Sequence, residues 1–179
     1  MFRSSLATLV ATLAFAAGAA AQHHGHGGSA QPYAAFKDRP IKALSADDIA
    51  GLRAGRGMML ALPAELNRYP GPMHALEHEQ ALGLSAEQKV ALQSQMAEMR
   101  AEAITLGERI IAREGELEAL FRGSAADAEA VDRLTAEIGV LQGQLRAVHL
   151  RTHLRTRGTL SEEQVARYQV LRGYEVRRH

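Results

Sequence analysis

Apolar side chains recur at steps of three and four along most of the chain, and no convincing two-residue alternation replaces them. That period belongs to helices with one buried stripe. Ser45 before Ala46-Asp47-Asp48 predicts a capped helix start with acidic residues in the first turn, running to about Arg53. Gly55 and Gly57 loosen the chain, and Met58, Met59, Leu62 and Leu66 predict a second apolar stripe, bent or interrupted at Pro63. Tyr69-Pro70-Gly71-Pro72 reads as a turn, and Pro72 suits the first turn of a helix from Met73 to Leu82, closed by Gly83.

Two near-copies of one signal follow, Leu84-Ser85-Ala86-Glu87-Gln88 and Leu160-Ser161-Glu162-Glu163-Gln164. In each, a serine and a glutamine three residues on have capping-box spacing, and the preceding leucine can staple the turn. Between them, Ala86 to Arg122 predicts one helix about 55 Å long at ~1.5 Å per residue. Leu92, Met96, Met99, Ala103, Leu106, Ile110, Leu117 and Leu120 make its seam. Gly123-Ser124 breaks it. The return helix, from about Ala126 to Arg157, carries Val131, Leu134, Ile138, Leu141, Leu145 and Val148 at the same steps. Matched seams across a short loop predict an antiparallel hairpin. The expected fold is all-α, four to five helices with this long hairpin as spine.

Candidate chemistry sits on these helices as two histidine pairs at helical spacing, His74 with His78 and His149 with His153. Residues four apart share a helix face, so each pair can offer two imidazole nitrogens to one ion. If the turn centres near Gly123, His149 falls opposite residues near 97 and His153 opposite residues near 93, at the edge of the seam. Glu77, Met96 and Glu98 are then auxiliary candidates. The helix of the first pair joins the base of the same long helix and can fold back over the open end. Four histidines suit Zn(II) or Cu(II), and Ni(II) or Co(II) also fits. The absence of cysteine removes thiolates from any such set. Met58, Met59, Met73, Met96 and Met99 read as packing residues; as ligands they would indicate Cu(I).

The start of the chain sets the compartment. Arg3, the apolar run Leu6 to Ala20 and the small residues Ala19-Ala20-Ala21 form a secretory leader, so residues 1–21 are read as a signal peptide and the protein as periplasmic. The full chain has 21 basic and 20 acidic side chains, and loss of Arg3 equalises them, which leaves no basic footprint for nucleic acid. Residues 22–44 read as a flexible tail rich in His, Gly and Pro, in which His23, His24 and His26 form a secondary candidate metal cluster. Cleavage after Ala21 would place a free amino group near His23, a donor set that favours Cu(II). Aromatic residues make up 4 % of the chain and tryptophan is absent, which argues against a deep aromatic pocket for an organic substrate. No nucleophile with its base and no phosphate loop is present, so an enzyme is not expected.

The two LSxEQ signals flanking a long hairpin resemble the LTxxQ motifs of Spy/CpxP/ZraP-like periplasmic proteins, with serine in place of the usual threonine. The order of pair, motif, hairpin, pair and motif, from about Met73 to Arg172, most resembles the CnrX-type periplasmic heavy-metal sensors. The resemblance implies that residues 45–179 are a helical-hairpin domain binding a heavy metal for sensing, buffering or resistance. His74 and His78 match the first ligand pair of that type, and His149 and His153 the second. The sensor type places methionine where this chain has His153, and draws a carboxylate from its first long helix where Met96 stands here, with Glu98 close by. It is also membrane-anchored. The resemblance further implies a membrane-bound signalling partner, a dimeric cradle, and, as the alternative, an ATP-independent chaperone. On that alternative, Arg151, Arg155, Arg157, Arg167 and Arg172 beside exposed leucines would hold unfolded clients.

Overall fold

The capping boxes form as the serine–glutamine spacing requires. In the computed structural model, which describes residues 32–175, Ser85 accepts from the backbone N–H of Gln88 while the Gln88 side chain accepts from Ser85 N–H, and Ser161 with Gln164 repeats the arrangement. Ser45 with Asp48 makes a third box. These boxes open α5 (Ala86–Arg122), α7 (Glu162–Leu171) and α1 (Ala46–Arg53). The other helices are α2 (Leu62–Glu65), α3 (Pro72–Glu77), α4 (Glu79–Leu82) and α6 (Ala128–Thr159). Every regular element among the described residues is helical, and α5 packs antiparallel along α6. The chain divides into units Met1–Ala34 and Ala35–His179, and all seven of these helices belong to the second. No helix among the described residues is long and apolar enough to cross a membrane. The leader and His23, His24 and His26 lie outside the described residues.

The two glutamines of the repeated signal also meet. Gln88 Nε2 donates to Gln164 Oε1 at 2.8 Å, and Gln164 Nε2 donates back to Gln88 Oε1 at 3.0 Å. Each capping side chain therefore closes its own helix start and joins it to the other. Gln88 Nε2 also donates to the Thr159 carbonyl, which fastens the end of α6 to the same point.

The seam is apolar in two stretches. Leu52 of α1 joins Ala103, Leu106, Ile110 and Ile111 of α5 and Leu141, Leu145 and Val148 of α6 in one buried cluster. Ala75, Leu82, Leu92, Leu160, Val165 and Tyr168 form a second at the open end. Between the clusters the buried residues are polar: Gln95 on α5, and His149, Thr152 and Thr156 on α6.

Several expectations are corrected. The hairpin register differs, because the loop extends to the Asp127 N-cap of α6 rather than centring on Gly123. Cross-pairs Glu98–Arg155, Glu102–Arg151 and Arg113–Glu137 define it. His153 lies between the levels of the first two pairs rather than opposite residues near 93, and His149 lies beyond the second rather than opposite residues near 97. His149 is 2 % exposed and so lies within the seam, not at its edge. The stripe expected from Met58 to Leu66 is not buried: Met59 is 77 % and Leu66 55 % exposed, and only Leu62–Glu65 is helical, started by Pro63. Met58 and Met59 take left-handed φ values of 43° and 62°, which ends any helix there. The helix expected from Met73 to Leu82 is interrupted at His78 (φ −104°, ψ 22°). The tail expected to reach residue 44 docks before it ends. Ile41 and Leu44 pack on the first cluster, and Lys42 binds Glu118 through both its backbone N–H and its ammonium.

Helix α1 crosses α5 at Gly107, where an added Cβ would lie 2.5 Å from the Leu52 carbonyl oxygen and 2.8 Å from its carbon. Backbone cannot give way there as a flexible side chain can. Gly107→Ala is therefore expected to lower stability by about 1–3 kcal/mol in urea unfolding, despite the higher helix propensity of alanine. Gly139 of α6 has nothing within 4 Å of such a Cβ. Gly139→Ala is expected to raise stability by roughly 0.5–1 kcal/mol. Equal effects would show that α1 does not close on α5 at this point.

Candidate metal-binding site

The second histidine pair stands where α6 meets the segment that carries α2 and α3. His149 Nδ1 is 4.0 Å from the Cβ position of Gly57, and its Nε2 is buried without a hydrogen-bond partner. A buried donor or acceptor left unpaired costs about 1–3 kcal/mol, so it calls for an explanation. Burial, and secondly the neighbouring His153, holds the His149 pKa below its ordinary value, so the ring is neutral at neutral pH.

His153, one turn on, has a side chain 13 % exposed. Its Nδ1 is 2.7 Å from the Tyr69 carbonyl oxygen. A carbonyl only accepts, so Nδ1 carries the proton and Nε2 keeps its lone pair. The same arrangement, a ring N–H donated to a backbone carbonyl, orients ligating histidines in metal sites. Gly71 lies against this ring: a Cβ there would be 3.0 Å from Cε1 and 3.2 Å from Nε2.

Gly71 is also the N-cap of α3, so the first pair starts at the same place. Helix α3 packs on both α5 and α6. His74, in its first turn, has Nδ1 2.8 Å from Glu77 Oε2. That hydrogen bond holds the Glu77 carboxyl below its usual range. His78 sits at the break between α3 and α4 and is half-buried. Both pairs thus lie at the open end of the hairpin. They do not enclose a common point: among the described residues, no group of three or more His, Asp or Glu side chains is placed to hold a metal ion.

The auxiliary candidates are otherwise engaged. Glu98 accepts from Ser94 and from Arg155 at 2.8 Å, and Met96 is half-buried on α5. The arginines at this end are mostly paired as well, Arg151 with Glu102 and Arg157 with Glu162, while Arg167 donates to the Ala81 carbonyl. Of the methionines, Met58 packs its sulfur against Gly51, whereas Met59 and Met73 are exposed.

A residue that sequence reasoning missed is Glu65, a carboxylate 7 % exposed at the end of α2. Its Oε1 accepts from Tyr168 Oη at 2.6 Å and Tyr174 Oη at 3.1 Å, and lies 3.5 Å from Arg172 Nε. Its Oε2 accepts from Gly71 N–H at 3.2 Å and is 3.7 Å from His153 Nδ1. Burial and the Glu65 carboxylate push the Tyr168 phenol well above its ordinary pKa, so it remains a donor. A single glutamate between Ala64 and Leu66 gives no local signal of this role, because its partners are about a hundred residues away.

No family model, curated protein or solved structure matches the chain, so the assignment of function rests on these side chains.

A neutral buried histidine has a definite linkage sign. Its folded pKa lies below the unfolded value near 6.5, so below that pH the unfolded state binds more protons and stability declines. In the presence of a chelator, the urea midpoint is expected to fall between pH 7.5 and 5.5, and to fall much less in His149→Leu. The carboxylates whose pKa values are lowered titrate below this window. Parallel pH profiles would show that His149 is already protonated or solvated in the folded protein.

Proposed function

We propose that this chain is an exported, periplasmic metal-binding protein that senses or buffers a divalent transition metal, as the resemblance to CnrX-type proteins implies. The observation that carries the reading is His149, a neutral imidazole buried with an unpaired Nε2, one turn from a histidine whose Nδ1–H is already donated to a carbonyl. An ion would supply the partner that Nε2 lacks. The donor set fits such an ion: imidazole nitrogen without thiolate suits Zn(II), Cu(II), Ni(II) or Co(II). His149 and His153 would hold it, and His74 and His78, at the same end of the hairpin, would complete the set by closing of α3. A transition ion bound there acts as a fixed positive charge that ties α3 to α6. The four-histidine ligand set, the dimeric state and any signalling partner all belong to this proposal.

The chaperone reading has one observation in its favour. Met59, Leu62, Leu66 and Met73 are exposed apolar side chains close together in sequence around α2. They would serve as a binding surface for unfolded clients, although the arginines assigned to that role are mostly paired.

Metal titration of the chain with His23, His24 and His26 replaced by alanine tests the choice. One ion per chain is expected to bind, and loss of either histidine pair to alanine is expected to weaken binding at least tenfold. Affinity should fall as the pH drops below about 6.5, because only neutral imidazole ligates. The bound ion should raise the melting temperature by mass action. Absence of binding at micromolar metal, with suppressed aggregation of an unfolded client, would replace this reading with the chaperone.

A further inference from the structure

We propose that a second copy of this chain packs on the open face of the hairpin, antiparallel to the first. The twofold axis passes between Thr105 and Leu106 of α5 and between Gly143 and Gln144 of α6. The inference deepens the dimeric state named above by giving it a surface and a register, and it requires no metal ion.

The two broad faces of the hairpin differ. One is covered, where Leu52 of α1 closes on Gly107 and Ile41 reaches the position of Gly115. Positions 98, 102, 105, 109 and 113 lie on the opposite side of α5, each at least a third of a turn from Gly107 at about 100° per residue. There α5 and α6 border an open groove lined by Glu102, Thr105, Arg109, Val140, Gly143 and Ala147. Among the described residues only these two helices line it. Val140 is 60 % exposed beside it, and nothing stands within 4 Å of a Cβ at Gly143.

The charges along this face name the occupant. On α5, Glu98 and Glu102 precede the midpoint, and Arg109 and Arg113 follow it at equal distances. A twofold axis at the midpoint brings Glu102 of one copy level with Arg109 of the other, and Glu98 level with Arg113. Arg109 forms no ion pair among the described residues, so it has a charge to offer. Glu98, Glu102 and Arg113 already pair across the hairpin with Arg155, Arg151 and Glu137, and a second copy extends these pairs into networks. On α6 the same operation sets Val140 against Ala147, a larger side chain against a small one. The cross-pairs hold the two midpoints at one height to within about a turn, so a single axis serves both helices. An isologous contact demands this self-complementarity, because each patch must meet its own image. A parallel pairing, α5 over α6, would leave Arg109 opposite the uncharged Val140 and Gln144. Exposed ion pairs add little affinity, so the charges set the register while Val140 and the groove floor at Leu106 drive association.

The chain has no cysteine, so a single introduced one reports on its own image across the axis. With transition metals chelated, the exported chain is expected to sediment as a dimer at tens of micromolar. Gln144→Cys should form a disulfide-linked dimer under mild oxidation, because the axis passes beside it and a disulfide joins Cα atoms about 4.4–6.8 Å apart. Glu129→Cys, exposed on the same helix about 22 Å from the axis, should not. Val140→Lys and Gly143→Leu, both at exposed positions, should each weaken dimerisation at least tenfold with helix content unchanged. Arg109→Glu should weaken it severalfold. Zn(II) should bind Val140→Lys with parent affinity, so failure of the interface and failure of the histidine site are read separately. A monomer throughout this range would overturn the proposal. So would a dimer that Val140→Lys and Gly143→Leu leave intact and that cross-links as readily through Glu129→Cys.

Discussion

The layer of buried polar side chains between the two apolar clusters constrains everything else at the open end of the hairpin. Gln95 and Thr156 bond to each other, Gln95 also donates to Thr159, and Thr152 donates to the carbonyl one turn back. Each of these groups is satisfied within α5 and α6. His149 Nε2 is not, and the Gly57 loop that lies against this ring offers it no partner. A hairpin built for stability alone would carry leucine there, since an unpaired polar group in the core costs more than the space it fills. The polar layer is thus where the fold gives up stability; His149 lies within it, and His153, one turn on, reaches the Tyr69 carbonyl beyond α2.

The short helices around that layer carry unusual local strain. Met58, Met59 and Arg68 all have positive φ, within eleven residues that hold the only residues of α2. Non-glycine residues in that region cost about 1 kcal/mol or more each and persist only where the surroundings enforce them. The enforcing contacts are identifiable. Met58 packs on Gly51, Asn67 donates to the Pro63 carbonyl, and Glu65 draws together Gly71, Tyr168 and Tyr174. Glu65 therefore ties the strained segment to the C-terminal helix, while the paired glutamines tie that helix to the start of α5. The α2 segment is thus held at two places, toward α6 by the Tyr69 carbonyl on His153 and toward the C-terminus by the tyrosines on Glu65.

Local chemistry in the sequence was legible where it is local in the structure. Serine and glutamine three apart predicted two helix starts and the Ser45 N-cap a third, and all three form, because a capping box needs nothing beyond its own turn. The seams of α5 and α6 followed from their period. The register did not, because it depends on how many residues the loop uses, and Asp127 rather than Ala126 caps the return helix. His149 is buried for a separate reason, because the Gly57 loop lies against its ring. The apolar pattern from Met58 to Leu66 misled for a related reason: composition suited a helix, but Pro63 and the left-handed methionines divide it. Glu65 was out of reach altogether. A contact across 103 residues between a four-residue helix and the chain's end leaves no period and no motif.

On the metal-binding reading, the state of the donors says what kind of binder this is. Two of the candidate histidines already have a protein partner, Glu77 for His74 and the Tyr69 carbonyl for His153, whereas Nε2 of His149 has none. His153 keeps a free lone pair with its ring fixed, and so loses little on binding. Helix α3 must close to bring His74 and His78 in. Affinity is then the difference between the ligand bonds gained and the contacts given up, and it is lower than a ready-made cage would provide. What is given up is not lost to function. A ligand shifts a conformational equilibrium only by its differential affinity for the two states, and on this reading the states differ in how closely α3 lies on α6. A storage protein gains nothing from such an exchange. A protein that must report metal to something else does, because the movement of α3 would itself be the signal.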